Sequence, residues 1–231
     1  MNVDNSNKTP DKESSRIYVL FYSFFLIPFM IAVFGAVFFL LFRFITFETN
    51  SAEDLLNQVK IGSASKRWQS AFELAKILNN PDLIPMSSSF KDQMISAYER
   101  SIHDDPLVRS YLAMAMGATR DTTYGSHLLN GLNDDNLESQ IAAIQSIGMI
   151  GYSAAVPQLK DITITSEYHN ERLAATIALG MIGDQTSIPH LTSLLEDEEP
   201  NIRWDAAVAL AKMGNDSGVP IITGLLDREY L

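Results

Sequence analysis

Residues 172–195 read RLAATIALGMIGDQTSIPHLTSLL, and residues 203–226 read RWDAAVALAKMGNDSGVPIITGLL. The two stretches align without a gap at a spacing of 31 residues, which places Arg172 on Arg203. A spacing of this length, kept at many positions, is typical of chains in which small units of secondary structure stack along one axis. The sequence therefore predicts a repeat protein.

Earlier segments carry further copies of the same unit. QIAAIQSIGMIGYSAAVPQL, from Gln140, places its second glycine and its proline 32 residues before those of the 172–195 copy. VRSYLAMAMG, from Val108, is a weaker copy, and RWQSAFELAKIL, from Arg67, matches the segment from Arg203 at six positions. Together the copies predict an array of repeats over residues 64–231.

Each copy contains two helical patterns. In the second, Ala206, Leu210 and Met213 form one apolar face with a period of 3.6 residues. A glycine is expected at or just after the end of this helix, in a left-handed C-cap, and a proline in the first turn of the next helix. The glycines are Gly117, Gly151, Gly183 and Gly214, and the prolines are Pro157, Pro189 and Pro220.

The pattern predicts an all-α fold, an α-solenoid of about five helix pairs and a final unpaired helix, preceded by a single transmembrane helix. The predicted helices span 51–61, 64–78, 87–102, 106–117, 125–133, 137–149, 155–163, 168–182, 187–196, 201–213 and 218–229.

The N-terminal part differs in composition from the repeats. The 26 residues from Ile17 to Phe42 carry no charged side chain, and a helix needs about 20 apolar residues to cross a bilayer. The run is longer than the apolar core of a cleaved signal peptide, so an uncleaved anchor is expected, with a local kink at Pro28. The predicted organisation is a disordered tail (1–16), a transmembrane helix (17–47), a connecting or first solenoid helix (48–63) and the solenoid (64–231).

The distribution of Lys and Arg around the apolar run predicts the membrane orientation, and the net charge indicates the class of partner. Lys8, Lys12 and Arg16 precede the apolar run, whereas Arg43 and Lys60 follow it closely, which predicts a cytoplasmic N-terminus and a solenoid on the outer, periplasmic or luminal, side. The net charge of -11 is the opposite of a nucleic-acid footprint, so nucleic acid is not expected as a partner.

The pattern R-x-x-A-A-x-A-L-G-x-I-G-D-x-x-x-x-P-x-L-x-x-L-L, as it stands in residues 172–195, resembles the short bacterial HEAT repeat, the type named after phycobilisome-linker lyase subunits. The resemblance implies a structural ladder between repeats, built from the arginine that opens the second helix and the aspartate after its glycine. The matching residues are Arg109, Arg172, Arg203 and Asp184; Gln140, Tyr152 and Asn215 depart from the pattern and interrupt the ladder.

No catalytic, cofactor-binding or metal-binding residue is expected. Cysteine is absent, which excludes cysteine nucleophiles and thiolate zinc sites. His127 and His190 occupy equivalent positions two repeats apart, on the order of 20 Å at the usual spacing of packed helices, so they are not expected to share a metal ion.

Two groups of residues are candidates for protein binding. Trp68 and Trp204 hold matching positions in the first and last full repeats, where interface anchoring competes with simple packing. The final helix and the C-terminus supply the second group, an apolar patch that is exposed unless it packs on the preceding pair. This group comprises Leu225, Leu226, Tyr230 and Leu231.

The expected function is that of a membrane-anchored scaffold, not an enzyme, that binds other proteins as an accessory or assembly subunit of a larger membrane complex. The resemblance also implies an alternative, a factor or lyase-related enzyme that attaches a bilin-type cofactor. The expected partners are membrane-complex subunits and the lipid bilayer through residues 17–47, and a homodimer is left open.

Overall fold

The computed structural model describes residues 18–46 and 50–226. It divides the chain into two units, Met1–Thr49 and Asn50–Leu231. Across the described residues the regular structure is helical, without a β-strand, and helix pairs follow one another along the second unit. The predicted all-α solenoid is therefore confirmed.

A long apolar helix makes up the described part of the first unit. It contains a π-helical turn, Tyr22–Leu26, and continues as α1, Ile27–Thr46. The turn ends two residues before Pro28. Because proline lacks an N–H and its ring clashes with the carbonyl four residues earlier, a locally wider turn accommodates it. Residues Tyr18–Phe42 contain an 18-residue window with a mean hydropathy of 2.7, and the helix is long and apolar enough to cross a membrane.

The second unit consists of five helix pairs and one further helix. The first helices of the pairs are α2 (Ala52–Ile61), α4 (Ser88–Arg100), α6 (Gly125–Asn130), α8 (Val156–Thr165) and α10 (Ile188–Ser193). The second helices are α3 (Ala64–Ile77), α5 (Pro106–Ala118), α7 (Leu137–Ile150), α9 (His169–Ile182) and α11 (Pro200–Lys212). The last described helix is α12 (Val219–Leu226).

The second helices pack against one another along their lengths, whereas neighbouring first helices make few contacts. Small residues allow this close packing: a Cβ added at Gly148 would lie 2.9 Å from the Cα of Ala178, and one at Gly180 would lie 2.5 Å from the Cβ of Ala209. Closer spacing on one side curves a stack of helices toward that side. The second helices therefore line the concave side of the solenoid.

Three of the four expected C-cap glycines have the left-handed conformation. Gly151, Gly183 and Gly214 have φ of 69°, 70° and 74°. The expectation for Gly117 is wrong: this residue lies inside α5, where a Cβ would come within 2.9 Å of Ser146. In that repeat the left-handed residue is Arg120, with φ of 58°.

Candidate protein-binding face

Each second helix carries an exposed residue at the same position of the repeat, five residues after the position of the opening arginine. In four of the five helices that residue is apolar, and we call these four residues the apolar row: Phe72, Met114, Ile177 and Val208. Their side chains are 39–43% exposed; α7 carries Gln145 there. A single exposed apolar side chain is ordinary, but its recurrence on four second helices produces two apolar patches, on α3 and α5 and on α9 and α11, with Gln145 between them.

Apolar side chains border the apolar row one helical turn to either side. On α3 and α5 the rings of Phe72 and Tyr111 meet edge to face, with centroids 5.2 Å apart, a favourable arrangement for an aromatic pair. Toward the other end, Ile141 and Leu173 are half-buried and Met181 is 40% exposed. The row and its borders thus form one face of the second helices.

Both predicted tryptophans lie on this face. Trp68 and Trp204 stand one turn before Phe72 and Val208, on α3 and α11, and both are half-buried. Trp68 also packs against the hydrophobic core. The two indoles therefore mark the ends of the apolar row, and both are partly accessible.

The C-terminal candidates fall at or beyond the end of the described residues. Leu225 and Leu226 close α12, but their side chains lie outside the described residues, as do Tyr230 and Leu231 altogether. In the described part of the same helix, Val219 is 43% exposed, while Ile221 and Ile222 are half-buried. Helix α12 packs on α11.

The arginines of the predicted ladder join one pair to the next. Arg109 forms a buried ion pair with Asp134, and Arg172 forms a partly buried one with Asp197. Each aspartate lies 25 residues later, just before the second helix of the next pair. Arg172 Nε also donates to the carbonyl of Thr163, at 2.9 Å, near the end of the first helix of its own pair. Arg109 Nη1 likewise donates to the carbonyl of Tyr98, at 3.2 Å, near the end of α4. Each of these arginines therefore binds a carbonyl near the end of the first helix of its own pair and connects two repeats.

Arg203 and Asp184 have different partners. Arg203 donates to the carbonyls of Asp197 and Glu198, at 2.7 and 3.1 Å. Asp184 accepts hydrogen bonds from the backbone N–H and the hydroxyl of Thr186, and these bonds lower the pKa of its carboxyl group. Asp184 thus caps the short turn that leads into the next helix, and the acid that pairs with each ladder arginine comes from a different loop.

Arg67 is a further member of this arrangement that was not predicted from the sequence. Arg67 forms an ion pair with Asp104, before α5, and its Nε donates to the carbonyl of Val59 at 2.7 Å. The alignment of Arg67 with Arg203 was the available signal. Gln140, which replaces arginine in α7, keeps the second half of the interaction by donating to the carbonyl of Leu132 at 2.7 Å.

The histidines have separate partners. His127 Nδ1 lies 2.7 Å from a carboxylate oxygen of Glu99, whereas His190 Nε2 lies 2.7 Å from the hydroxyl of Thr163. Burial, followed by nearby Lys160, lowers the pKa of His190, so its ring is neutral at neutral pH. Within residues 18–46 and 50–226, no group of three or more histidine or carboxylate side chains is arranged to hold a metal ion.

A sequence model described as HEAT repeats matches residues 92–180 and 164–230. Among solved structures, the complex of CpcE and CpcF of phycocyanin lyase from Nostoc sp. PCC7120 is similar with a TM-score of 0.62 and 22% identity, covering 79% of this chain and 73% of that chain. An engineered protein is similar with a TM-score of 0.54 and 19% identity, over 74% and 83% of the two chains. No curated protein matches by sequence. At these identities the structures show a shared fold.

Proposed function

Because the chain belongs to the HEAT-repeat family, we propose that it is a scaffold that binds other proteins along the apolar row of its second helices. HEAT repeats generally mediate interactions between proteins, and stacked repeats present an extended concave surface suited to this. The observation that carries the proposal is the recurrence of Phe72, Met114, Ile177 and Val208 at one exposed position. The two half-buried tryptophans supply anchors of the kind enriched in binding hot spots.

The proposed site of action is a membrane. The apolar helix Tyr18–Phe42 would confine the solenoid to two dimensions and raise the effective concentration of anything it binds there. We therefore place the chain in the role of an accessory or assembly subunit of a larger membrane complex. Catalysis by this chain is not part of the proposal.

The test is affinity purification of the tagged full chain from its native membrane in mild detergent, followed by mass spectrometry and native sizing. The variant Ile177→Glu puts a charge into the apolar row, and Ile164→Glu is a matched control at an exposed isoleucine on the first helix α8. We expect a stoichiometric protein partner with the wild type and the control, and its loss with Ile177→Glu. Recovery of the chain alone, or equal recovery with both variants, would overturn the proposal.

The structural similarity to the phycocyanin lyase complex suggests an alternative function, a role in attaching a bilin chromophore. Fold similarity is a weak guide to activity, because one fold hosts many functions. The visible absorbance of the purified chain separates the two functions. A scaffold is colourless, whereas bound bilin would give an absorption band in the visible range.

A further inference from the structure

A groove crosses the concave side where α7 and α9 end. Its volume is about 730 Å³, and Met149, Met181 and Met213 line it. Gly148 and Gly180 also line it, and because they lack side chains the helices beneath the groove pack closely. Methionine side chains are flexible and polarizable, and they adapt to apolar partners of different shapes.

The charged residues that line this groove are both basic. They are Arg120, in the turn after α5, and Lys212, at the end of α11. The chain as a whole carries a net charge of -11, so a groove with cations alone is unlike the average surface. Within the described residues 50–226, neither side chain has a carboxylate within 4.0 Å. Arg120 Nη1 donates to the carbonyl of Met149 at 3.4 Å, and Lys212 lies near enough to Asp205 to act on its carboxyl group; the remaining N–H donors of both side chains can bind an anion.

Arg120 adopts a backbone conformation that is unfavourable for a residue with a side chain. Its φ of 58° falls in the left-handed region, and the equivalent residues of the next three repeats are Gly151, Gly183 and Gly214. An L-residue with a side chain is strained there and glycine is not. Residues kept in such conformations cluster at functional sites, so the strain at Arg120 points to a role for its guanidinium.

We propose that this groove binds a short acidic segment of a partner protein, with apolar side chains on the three methionines and carboxylates at Arg120 and Lys212. The guanidinium of Arg120 lies 3.4 Å from the carbonyl of Met149, at the end of α7, so about two helix-to-helix steps separate it from Lys212 on α11, about 16–20 Å at the usual spacing of packed helices. An extended segment of about five or six residues covers that distance. The inference rests on the proposed function and specifies the chemistry of the partner at one edge of the same face.

The test uses the purified full chain in mild detergent and a library of random 12-residue peptides displayed on phage. Selected peptides are synthesised, and their affinities are measured by fluorescence anisotropy. One variant combines Arg120→Glu with Lys212→Glu. Its control combines Lys66→Glu with Lys76→Glu, which changes the net charge equally at residues outside the lining of the groove.

We expect the selected peptides to carry Asp or Glu at both ends of an apolar stretch. The groove variant should bind them about tenfold or more weakly and the control within about twofold, because opposite charges become like charges at the groove alone. Arg120→Gly should weaken binding while raising the melting temperature, since it removes both the cation and the strain. If Arg120 had only a structural role, Arg120→Gly would not weaken peptide binding while raising the melting temperature.

Selected peptides without acidic residues, equal loss of affinity in groove variant and control, or failure to select any peptide would each overturn the inference. These results would not overturn the proposed function, which the co-purification experiment tests separately. A partner that still co-purifies and is lost with Ile177→Glu would show that the scaffold binds through the apolar row and not through this groove.

Discussion

At the scale of single residues, the left-handed turn after each second helix separates what the repeat requires from what this chain adds. Gly151, Gly183 and Gly214 meet the requirement without strain, because each has a positive φ and a Cβ is absent. Arg120 meets it with a side chain in place. The effect of this left-handed arginine on the free energy of unfolding can be measured.

Arg120→Gly is expected to raise the free energy of unfolding by about 1 kcal/mol, since a left-handed conformation costs a residue with a Cβ roughly 1–2 kcal/mol and glycine partly offsets this with its unfolded-state entropy. Denaturant unfolding of the full chain in detergent measures the change. The reverse substitution Gly183→Arg, at the equivalent turn, should destabilise by a similar amount. A loss of stability in Arg120→Gly would show that the guanidinium contributes more than the strain.

The environment of Tyr98 predicts a second effect of a single substitution on stability. Its hydroxyl is buried and has no hydrogen-bond partner among the described residues, and burial raises its pKa to about 12. Tyr98→Phe removes an unsatisfied polar group and is expected to stabilise the fold by about 1 kcal/mol. The midpoint of denaturant unfolding reports this.

A companion substitution tests the same contact. A Cβ at Gly131 would lie 2.2 Å from the Tyr98 oxygen, so Gly131→Ala should cost less stability in the Tyr98→Phe background than in the wild type. Equal costs in both backgrounds, or a loss of stability in Tyr98→Phe alone, would contradict the environment described for the hydroxyl.

At the scale of the elements, the second helices form the tightly packed layer and the first helices the loose one. The reason is visible at the crossing points, where Gly117, Gly148 and Gly180 face Ser146, Ala178 and Ala209 of the following helix. The first helices are also less regular: α6 and α10 are six residues long, and each ends in a 3-10 turn. Close packing of the second helices therefore determines the shape of the solenoid.

Gly148→Ala is expected to destabilise the chain by about 2–3 kcal/mol, because its Cβ would meet the backbone of Ala178 at 2.9 Å and force α7 and α9 apart. Thermal and denaturant unfolding measure the loss. Gly224→Ala is the matched control: it lies in α12 with open space around it, so the same change should leave stability unchanged or slightly higher. Similar costs at both sites would show that close packing is not what Gly148 provides.

At the scale of the whole molecule, an apolar helix and a water-exposed acidic solenoid are joined in one chain. The charge bias of the flanks, with Lys8, Lys12 and Arg16 before the helix, predicts that the solenoid lies outside the cytoplasm. The absence of cysteine from the whole sequence makes the orientation directly testable, because an introduced cysteine is then the only thiol.

A cysteine in place of the exposed Glu198 is expected to react with a membrane-impermeant maleimide in intact cells, provided that the reagent reaches the non-cytoplasmic face of the membrane. A cysteine in place of Ser6 is expected to react only after the membrane is permeabilised. Gel-shift labelling reads out both. The opposite pattern would place the solenoid in the cytoplasm, and labelling of both without permeabilisation would show that the helix is not an anchor.

The sequence by itself determined the helices, their pairing and the apolar span, because these depend on local periodicity, capping residues and length. The run Ile162-Thr163-Ile164-Thr165 has β propensity, yet it lies in α8, as the alignment of repeats indicates. The positions of Trp68 and Trp204 at the two ends of the array followed from the same alignment.

The tertiary structure alone decided which residues meet across repeats and which stay exposed. Arg172 pairs with Asp197 and not with Asp184, because the loop that reaches the arginine depends on how far each helix pair is displaced from the last. The apolar row was missed for a related reason: Ile177 continues an apolar pattern in sequence, and only the packing of α9 between its neighbours leaves it 39% exposed. Local periodicity specifies a helix, whereas exposure and ion pairing depend on the spacing between helices.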